Sequence, residues 1–412
     1  ISGNGPGSTI VDGNNQWQVF YIYFGSITIE NLTITRGSDV NSGASGGGAV
    51  FVTAEVTLNN CVMSDNVTTG FGGGAIASSS GTVTTINNCT FTGNFSSSRG
   101  GAIRNAGTMS ITSSTFSGNS SPNESAIYNS LGTLTITHST IAGNTGAAAF
   151  GTAGSATTNM GHTILAGNTT SDGSGTVNSL GYNVIGNTSG MTITGTTTGN
   201  LIDAAASPLN LGALANNGGS TPTMALQVGS VAYNAGNPSF VAPPSTDQRG
   251  SARVSLGRID IGAYESTTDL TPIPPDVTII PVSFNVNEGA NANFTITRTG
   301  STAAALNVTV NITLGTDTVD ADYDLAGGSI SAQSGNGVTV TIPAGSASVN
   351  VNFAALDEVD AEANNTLSIA LVDGAAYNLG ATTSSTATIP QNDLVVTTTF
   401  RTGDGSLRQA MI

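Results

Sequence analysis

Residues 86–94 read INNCTFTGN, and this nine-residue phrase recurs along the first half of the chain. The other copies are LNNCVMSDN (58–66), ITSSTFSGN (111–119), ITHSTIAGN (136–144) and MGHTILAGN (160–168), preceded by the looser IENLTITRG (29–37). The closing asparagines, Asn66, Asn94, Asn119, Asn144 and Asn168, are 28, 25, 25 and 24 residues apart. This period is typical of a solenoid, in which each repeat packs only on its neighbours.

Equivalent positions of the repeats share one chemical character. The position three residues before the end of each phrase is apolar throughout: Ile34, Met63, Phe91, Phe116, Ile141 and Leu165. So is the position eight before the end: Ile29, Leu58, Ile86, Ile111, Ile136 and Met160. The position five before the end points to the same side, because side chains alternate along a strand: Leu32, Cys61, Cys89, Ser114, Ser139 and Thr163. Such columns, with Gly, Asn and Ser at the corners, predict a parallel β-helix.

A second strand in each turn is marked by a small residue followed by an apolar one, as in GGAV (47–50), GGAI (73–76 and 100–103) and SAIY (125–128). The pairing of Gly-Gly-Ala-Ile with Phe-x-x-Asn, as in Phe91 to Asn94, resembles the repeats of bacterial polymorphic outer-membrane proteins and related secreted right-handed β-helix proteins. The resemblance covers residues 1–200. It implies a parallel β-helix there and an extracellular or cell-surface location.

Residues 201–266 change in character. The text LGALANNGGSTPTMAL begins at Leu211, and TDQRGSARVSLGRIDIGAYE ends at Glu265. This stretch resembles the choice-of-anchor module, which closes the C-terminal end of β-helices in large bacterial surface proteins. It also holds a charged cluster: Asp247, Arg249, Arg253, Arg258, Asp260 and Glu265. We interpret the cluster as Arg-carboxylate pairs that pin a cap over the open end of the helix, in preference to a binding or catalytic patch.

A Pro-rich linker, predicted over 267–276, separates this module from a second domain. From 277 to 393 short alternating runs such as ANFTITRTG and VTVTIPAG lie between Gly, Asp and Asn turns. That pattern predicts an antiparallel β-sandwich. The order of Glu288-Gly289, Asp322-Tyr323, an acidic cluster from Asp357 to Glu362, and Asn392-Asp393 resembles a Calx-beta domain.

The predicted sandwich is strongly acidic. Residues 276–393 contain 12 of the chain's 25 acidic residues and, as basic residue, Arg298 alone. Crowded carboxylates repel one another unless a hard cation such as Ca²⁺ joins them. The Calx-beta resemblance implies calcium ligands at Glu288, Asp322, Asp357, Glu358, Glu362 and Asp393. We expect calcium to stiffen the joint between domains; the alternative is a solvated acidic rim that binds cations weakly.

The last residues, 394–412, resemble the segment that begins β-helix domains of this kind, with SLRQAMI (406–412) as a short capping helix. The chain itself opens within repeat-like sequence. Two explanations remain open. Either the 412 residues are a window of a longer tandem protein, or the tail of one copy covers the first coil of the next, as in donor-strand complementation. The second arrangement is head-to-tail and builds a filament.

Composition excludes several classes of function. All nine basic residues are Arg, so a Walker A loop and a Schiff-base lysine are excluded. A net charge of -16 disfavours nucleic acid as a partner. The chain also lacks the 18-residue apolar run of a membrane-spanning helix. Carboxylates of residues 1–200 lie at unrelated repeat positions: Asp12, Glu30, Asp39, Glu55, Asp65, Glu124 and Asp172. We therefore predict no enzyme activity, with a polysaccharide lyase or hydrolase as the remote alternative.

Three pairs or groups on the predicted helix remain. His138 and His162 occupy equivalent positions on adjacent coils, and we interpret them as a stacked surface pair rather than metal ligands. Cys61 and Cys89 stack inward, as free thiols in preference to a disulfide. Trp17, Tyr21 and Tyr23 share one face of the first coil. These rings suit stacking on sugar, but we favour burial against the end of the helix.

The function expected from the sequence is that of a structural or adhesive extracellular surface protein. Its partners would be copies of itself, head to tail or in tandem, and surface glycans. A carbohydrate-binding adhesin is the alternative.

Overall fold

The structure, a computed structural model, describes residues 1–39, 46–203, 207–281, 283–287, 290–302, 304–315, 323–325, 335–355 and 364–390. The chain divides into two compact units between Pro272 and Ile273. Unit 1 contains a parallel β-solenoid and unit 2 two five-stranded, mainly antiparallel sheets. The all-β fold class predicted from the sequence is confirmed.

The solenoid has three faces of parallel strands. Face I consists of Ser26–Glu30, Glu55–Asn59, Val83–Asn87, Thr108–Thr112, Thr133–Thr137, Thr157–Gly161, Gly173–Gly181 and Met191–Thr196. Face II consists of Ile10–Asp12, Thr33–Thr35, Val62–Ser64, Thr90–Thr92, Thr115–Ser117, Thr140–Ile141, Ile164–Leu165, Val184–Ile185 and Leu201–Ile202. Face III consists of Phe20–Ile22, Val50–Val52, Ile76–Ser78, Ile103–Asn105, Glu124–Asn129, Ala148–Thr152 and again Gly173–Gly181, which joins faces I and III. A three-stranded sheet of Ser38–Asp39, Val67–Thr68 and Phe95–Ser96 lies at a corner.

The predicted columns stack in register. Ile86 pairs with Leu58 on one side and Ile111 on the other, and Phe91 pairs with Met63 and Phe116. The rings of Phe91 and Phe116 are parallel, with centroids 4.6 Å apart. These residues are fully buried in one continuous core that runs along the solenoid.

Two left-handed corners flank face II and explain the repeated phrase. The first corner has one non-glycine residue with positive φ in each coil: Asn31, Asn60, Asn88, Ser113, His138, His162 and Tyr182. The second uses Gly93, Gly118, Gly143 and Gly167, directly before the closing asparagines. Asparagine and glycine tolerate this conformation better than other residues do, which suits them to the second corner and to the first three coils of the first corner; the later coils of the first corner adopt it with Ser, His and Tyr.

The closing asparagines form a buried ladder. Each side-chain amide donates to the next, from Asn66 through Asn94, Asn119 and Asn144 to Asn168, at 2.8–3.0 Å. Each also donates to a carbonyl one coil back, such as Phe91 O from Asn119. The ladder begins at the backbone N–H of Gly37, in the forerunner phrase, and ends at the Asp172 carboxylate, which accepts from Asn168 at 2.8 Å. The corner is therefore stabilised by hydrogen bonds that continue through every coil.

Residues 207–272, here the flank module, cover the outer side of face II. The module contains one antiparallel hairpin, Leu211–Ala215 with Thr223–Leu226. Its contacts follow successive coils: Gly262 N–H donates to His162 O, Ala263 N–H to Thr140 Oγ1, and the Gln248 side chain to Cys89 O. The predicted placement of this module's charged cluster over the open end is therefore wrong. Ile164 and Val184 point outward from face II, and their apolar side chains favour burial under the module.

Within the segment predicted as linker, Leu270 packs with Ile164 and Val184, and the strand that begins at Asp276 belongs to unit 2. The finer domain boundaries stay predictions.

Unit 2 is a β-sandwich. One sheet has the order Tyr323–Leu325, Ser348–Ala355, Asn291–Arg298, Asp276–Ile280 and Asn378–Leu379. The other has the order Ser283–Asn285, Ser384–Ile389, Asn365–Leu371, Leu306–Leu314 and Gly335–Ile342. Phe294 packs edge-on against Phe284 and Phe353 in the shared core. The predicted sandwich is thus confirmed.

Candidate functional site

The predicted calcium ligands cannot be placed. Glu288, Asp322, Asp357, Glu358, Glu362 and Asp393 all lie outside the described residues, as do residues 394–412. Arg298, the basic residue of this domain, donates to the carbonyls of Ser346, Ala304 and Thr302 and so holds loops together. The calcium site and the capping tail stay predictions.

Most of the flank module's charged cluster is buried: Asp247, Arg253, Asp260 and Glu265 are buried, Arg249 is half-buried and Arg258 is exposed. Arg249 forms a 2.8 Å ion pair with Asp247 and lies 3.7 Å from the ring centre of Tyr264. Arg253 lies 3.8 Å from Glu265 and donates to Ser113 and to His138 O on the solenoid. The Arg249–Asp247 pair thus forms as predicted, but on the flank of the solenoid.

The remaining members of the cluster hold the module's own loops. Arg258 donates to the carbonyl of Gly236, and Asp260 accepts from the N–H groups of Asn234 and Ser266. Burial raises the pKa of Asp260 to about 6 and that of Glu265 to about 8. A carboxyl group that is protonated at neutral pH reduces the cost of enclosing three acids with two guanidinium groups.

His138 and His162 stack with their ring centres 4.8 Å apart, but the expectation of a surface pair is wrong for His138. His138 is 5 % exposed and Phe240 of the flank module packs edge-on against it. Burial and the nearby Arg253 lower the pKa of His138 to about 2 and that of His162 to about 4. Both rings are therefore neutral packing groups. Within the described ranges, no three His, Cys, Asp or Glu side chains gather in a metal-binding group.

The cysteines are free and buried, as expected. The Cys89 sulfur accepts from the N–H of Cys61, and Ser114 Oγ accepts from the N–H of Cys89. In the column that contains Cys61, Cys89 and Ser114, thiol sulfur and hydroxyl oxygen therefore have the same role, which is to accept a hydrogen bond from the backbone N–H of the preceding coil.

The aromatic residues of the first coil are exposed, which overturns the expected burial. Trp17, Tyr21, Tyr23 and Phe24 are 71 %, 57 %, 65 % and 70 % exposed. Tyr21 contacts Tyr23 and, at 5.2 Å between ring centres, Phe51 on the next coil; Tyr23 contacts Phe24. Exposed apolar surface of this kind marks an interaction site more often than a structural one.

Tyr21 belongs to a row of outward-facing positions on face III, which we call the outer row. In register order it consists of Tyr21, Phe51, Ala77, Arg104, Tyr128, Gly151 and Ser174. Sequence reasoning missed this row. The available signal was the position after each stacked apolar residue of the second strand, which carries a ring or a guanidinium in four of the five coils from Tyr21 to Tyr128.

Near its other end the outer row is flanked by an ion pair between Arg99 and Glu124. Arg99 lies 3.1 Å from Glu124 and 4.9 Å above the ring of Tyr128. Glu124 extends across Gly151, where a Cβ would meet its side chain at 2.5 Å, and accepts from Ser174. Among the described residues, Arg104 has no side-chain hydrogen bond, ion pair or ring contact; the other arginines there are each engaged.

In the part of the chain that the structure describes, no helix is long and apolar enough to span a bilayer.

No protein-family model and no curated protein matches this chain. Among solved structures, part of the chain is similar to three crystal structures of Calx domains. CBD12 from CALX1.2 is 16 % identical over 28 % of this chain and 43 % of that one, with a TM-score of 0.23. The apo-form Calx CBD1 domain is 17 % identical over 30 % of this chain and 100 % of that one, with a TM-score of 0.23. The calcium binding domain CBD12 of CALX1.1 is 18 % identical over 28 % of this chain and 44 % of that one, with a TM-score of 0.22.

The chain thus spans less than half the length of the two CBD12 structures. At these scores the likeness carries no argument about function, and the sandwich fold rests on the strand pairing described above.

Proposed function

We propose that this protein is a structural and adhesive extracellular surface protein, in which the solenoid is a rigid arm that carries a binding face. The observation that carries the proposal is that one solenoid combines an unbroken asparagine ladder with an exposed aromatic surface on its first coil. The ladder links five consecutive coils through buried amides, while Tyr21, Tyr23 and Phe24 remain exposed on the outside. Buried, fully bonded amide networks rigidify a structure, and rigid supports suit adhesion.

A non-enzymatic role is part of this proposal. Among the described carboxylates of the solenoid, Asp12 pairs with Arg36, Glu124 with Arg99, and Asp172 ends the asparagine ladder. These engagements are structural and give no support to a pair of catalytic carboxylates. Incubation with a panel of plant, algal and bacterial polysaccharides tests the point, and release of reducing ends or unsaturated products would contradict it.

Head-to-tail assembly is the proposed mode of self-association. In the described residues, the first strands of faces II and III, Ile10–Asp12 and Phe20–Ile22, are paired on one side, whereas Ser26–Glu30 of face I also carries an isolated bridge from Glu30 to Ser2 on its other side. Edge strands accept further strands, and the partner would be residues 394–412 of another copy or a preceding coil of a longer chain.

Negative-stain microscopy of the full chain and of a variant lacking residues 394–412 tests the assembly. We expect end-to-end filaments for the full chain and single rods for the truncated one. Filaments that persist without the tail would refute donor-strand assembly, and single rods for both would leave the adhesive role without self-association.

A carbohydrate-binding adhesin is the second candidate, and the exposed rings of the first coil, Tyr21, Tyr23 and Phe24, favour it specifically. Aromatic rings present apolar faces that match the C–H faces of sugars, and tyrosine adds a hydroxyl at the edge. Binding of the isolated full chain to a glycan array would support it, and a blank array would argue against it.

A further inference from the structure

We propose that the outer row of face III binds a carboxylate-bearing polysaccharide, a chain of uronic acid units laid along the solenoid axis. Tyr21 and Phe51 would stack on sugar rings, and Arg104 would pair with a uronate carboxylate. This inference rests on the adhesive role proposed above and names its ligand class.

The aromatic end supplies a stacking surface. Tyr21 and Phe51 lie side by side on adjacent coils, with ring centres 5.2 Å apart, and Tyr23 and Phe24 extend the surface outward. Tyr21 is 57 % exposed although it lies in a strand. In a polar, glycine-rich chain, four contiguous rings on one surface indicate a ligand with apolar faces and polar edges.

The charge of the outer row selects an acidic ligand over a neutral one. Arg104 is the charged member of the row, and the neighbouring Arg99 is neutralised by Glu124, so the guanidinium of Arg104 is the uncompensated charge of this surface. A planar guanidinium binds a carboxylate through two parallel N–H···O bonds, a geometry that a hydroxyl group does not match. The overall charge of -16 lies mostly elsewhere, and salt screens charges beyond about 8 Å.

The geometry of the outer row favours a chain over a single sugar. Tyr21 and Arg104 are three strand steps apart, about 14 Å at the usual spacing of parallel strands. Both lie on one straight line of register pairs. A monosaccharide cannot contact both ends, whereas a polymer along the axis can reach the rings at one end and Arg104 at the other, passing over the buried Ala77 between them.

Titration calorimetry on the full chain, with oligogalacturonate and a malto-oligosaccharide of equal length as probes, tests the inference. We expect the wild-type chain to bind oligogalacturonate, with affinity falling as salt rises, and to bind galacturonic acid monomer at least tenfold more weakly. Arg104→Gln should weaken oligogalacturonate binding at least tenfold, and Arg104→Lys, which keeps the charge but not the fork, should fall between. Tyr21→Ala should weaken it about tenfold.

Two matched controls remove an exposed arginine or ring outside the outer row. Arg36→Gln and Phe71→Ala should bind within twofold of wild type, and thermal melts should show all variants folded. If Arg104→Gln binds oligogalacturonate as tightly as the wild type does, the inference of an acidic ligand is wrong. If the malto-oligosaccharide binds as tightly as oligogalacturonate does, and Tyr21→Ala weakens its binding, the adhesive role stands and the uronate inference fails. Absence of binding to either probe would overturn the inference, while the array and microscopy decide the adhesive role separately.

Discussion

The two units bury different chemistry. In the solenoid Asn66, Asn94, Asn119 and Asn144 are fully buried beside the apolar columns. In the described part of the sandwich, the buried polar side chains are those of Arg298 and Ser385. A solenoid turns corners in every coil and must satisfy the corner backbone internally, whereas a sandwich places its turns at two ends in water. Both units have an apolar core, but the solenoid also buries hydrogen-bonded polar side chains at its corners, and the described part of the sandwich buries few.

Breaking the ladder should have the largest effect. Asn119 accepts from the N–H and the amide of Asn94, and donates to Asn144 Oδ1 and to Phe91 O. Asn119→Ala leaves these buried groups unpaired, so we expect a loss of about 4 kcal/mol in the free energy of unfolding of unit 1. Urea unfolding followed by circular dichroism measures it.

The matched control lies in unit 2. Asn350 is exposed and its amide oxygen accepts one bond, from Thr295. Asn350→Ala should cost less than about 0.5 kcal/mol. Equal effects of the two substitutions would show that the ladder adds nothing beyond surface hydrogen bonding.

A pH series should next separate the units. Burial raises the pKa of Glu265 from 4.5 to about 8, so the folded state keeps a proton that the unfolded chain releases. The contribution of this group to stability is full below about pH 4.5 and is lost as pH rises through 8. We expect the Glu265 carboxyl by itself to remove on the order of 3 kcal/mol from the stability of unit 1 between about pH 5 and pH 9, opposed below about pH 6.5 by His138 and His162, whose lowered pKa values stabilise the folded state as pH rises. Calorimetric melts across that range measure the loss.

Glu265→Gln should flatten this pH dependence. Asp269→Asn is the control, because hydrogen bonds from Thr271 lower the pKa of Asp269 and keep it ionised over the whole range. A Glu265→Gln variant with the wild-type slope would assign the effect to another group.

Calcium should act on unit 2 alone. If the acidic residues predicted as ligands bind the ion, calcium at about a hundred times its dissociation constant should stabilise unit 2 by about 2.7 kcal/mol. A chelator should lower the melting temperature of unit 2 and leave that of unit 1 unchanged. Asp357→Asn should abolish the calcium response, and Asp373→Asn, outside the predicted set, should keep it. A calcium shift confined to unit 1 would contradict the assignment.

The smallest effect is expected at the thiol column. Ser114 and Ser139 occupy the position of Cys89 in later coils, and each hydroxyl accepts from the backbone N–H of the preceding coil, as the Cys89 sulfur does from Cys61. Cys89→Ser should therefore change the stability of unit 1 by less than about 1 kcal/mol. Because burial raises the pKa of the Cys89 thiol, a thiol reagent should label it only on unfolding. Rapid labelling of Cys89 in the folded chain would show that this thiol becomes accessible without unfolding, which would contradict its stable burial.

The repeat spacing predicts much of the solenoid's interior, but less of which parts of its surface are covered. The ladder from Asn66 to Asn168 follows from the repeat, and even the forerunner phrase takes part through Gly37. The apolar outward side chains of Ile164 and Val184 were a usable sign that face II is covered. Nothing near His138 in the sequence indicates Phe240 as its cover, because the two are joined only by the path of the flank module.

Sequence alone determined which side chains stack on which, because in a parallel stack the repeat period sets the neighbours of every residue. It also favoured the left-handed corners where Asn or Gly stands, since both tolerate that conformation locally, whereas Ser113, His138, His162 and Tyr182 take it up because the stack imposes it. Only the tertiary structure decided which outer face is covered and which is left open. That choice depends on where a segment some hundred residues away packs, and so it buried His138 and Arg253 and left Tyr21 and Arg104 facing outward.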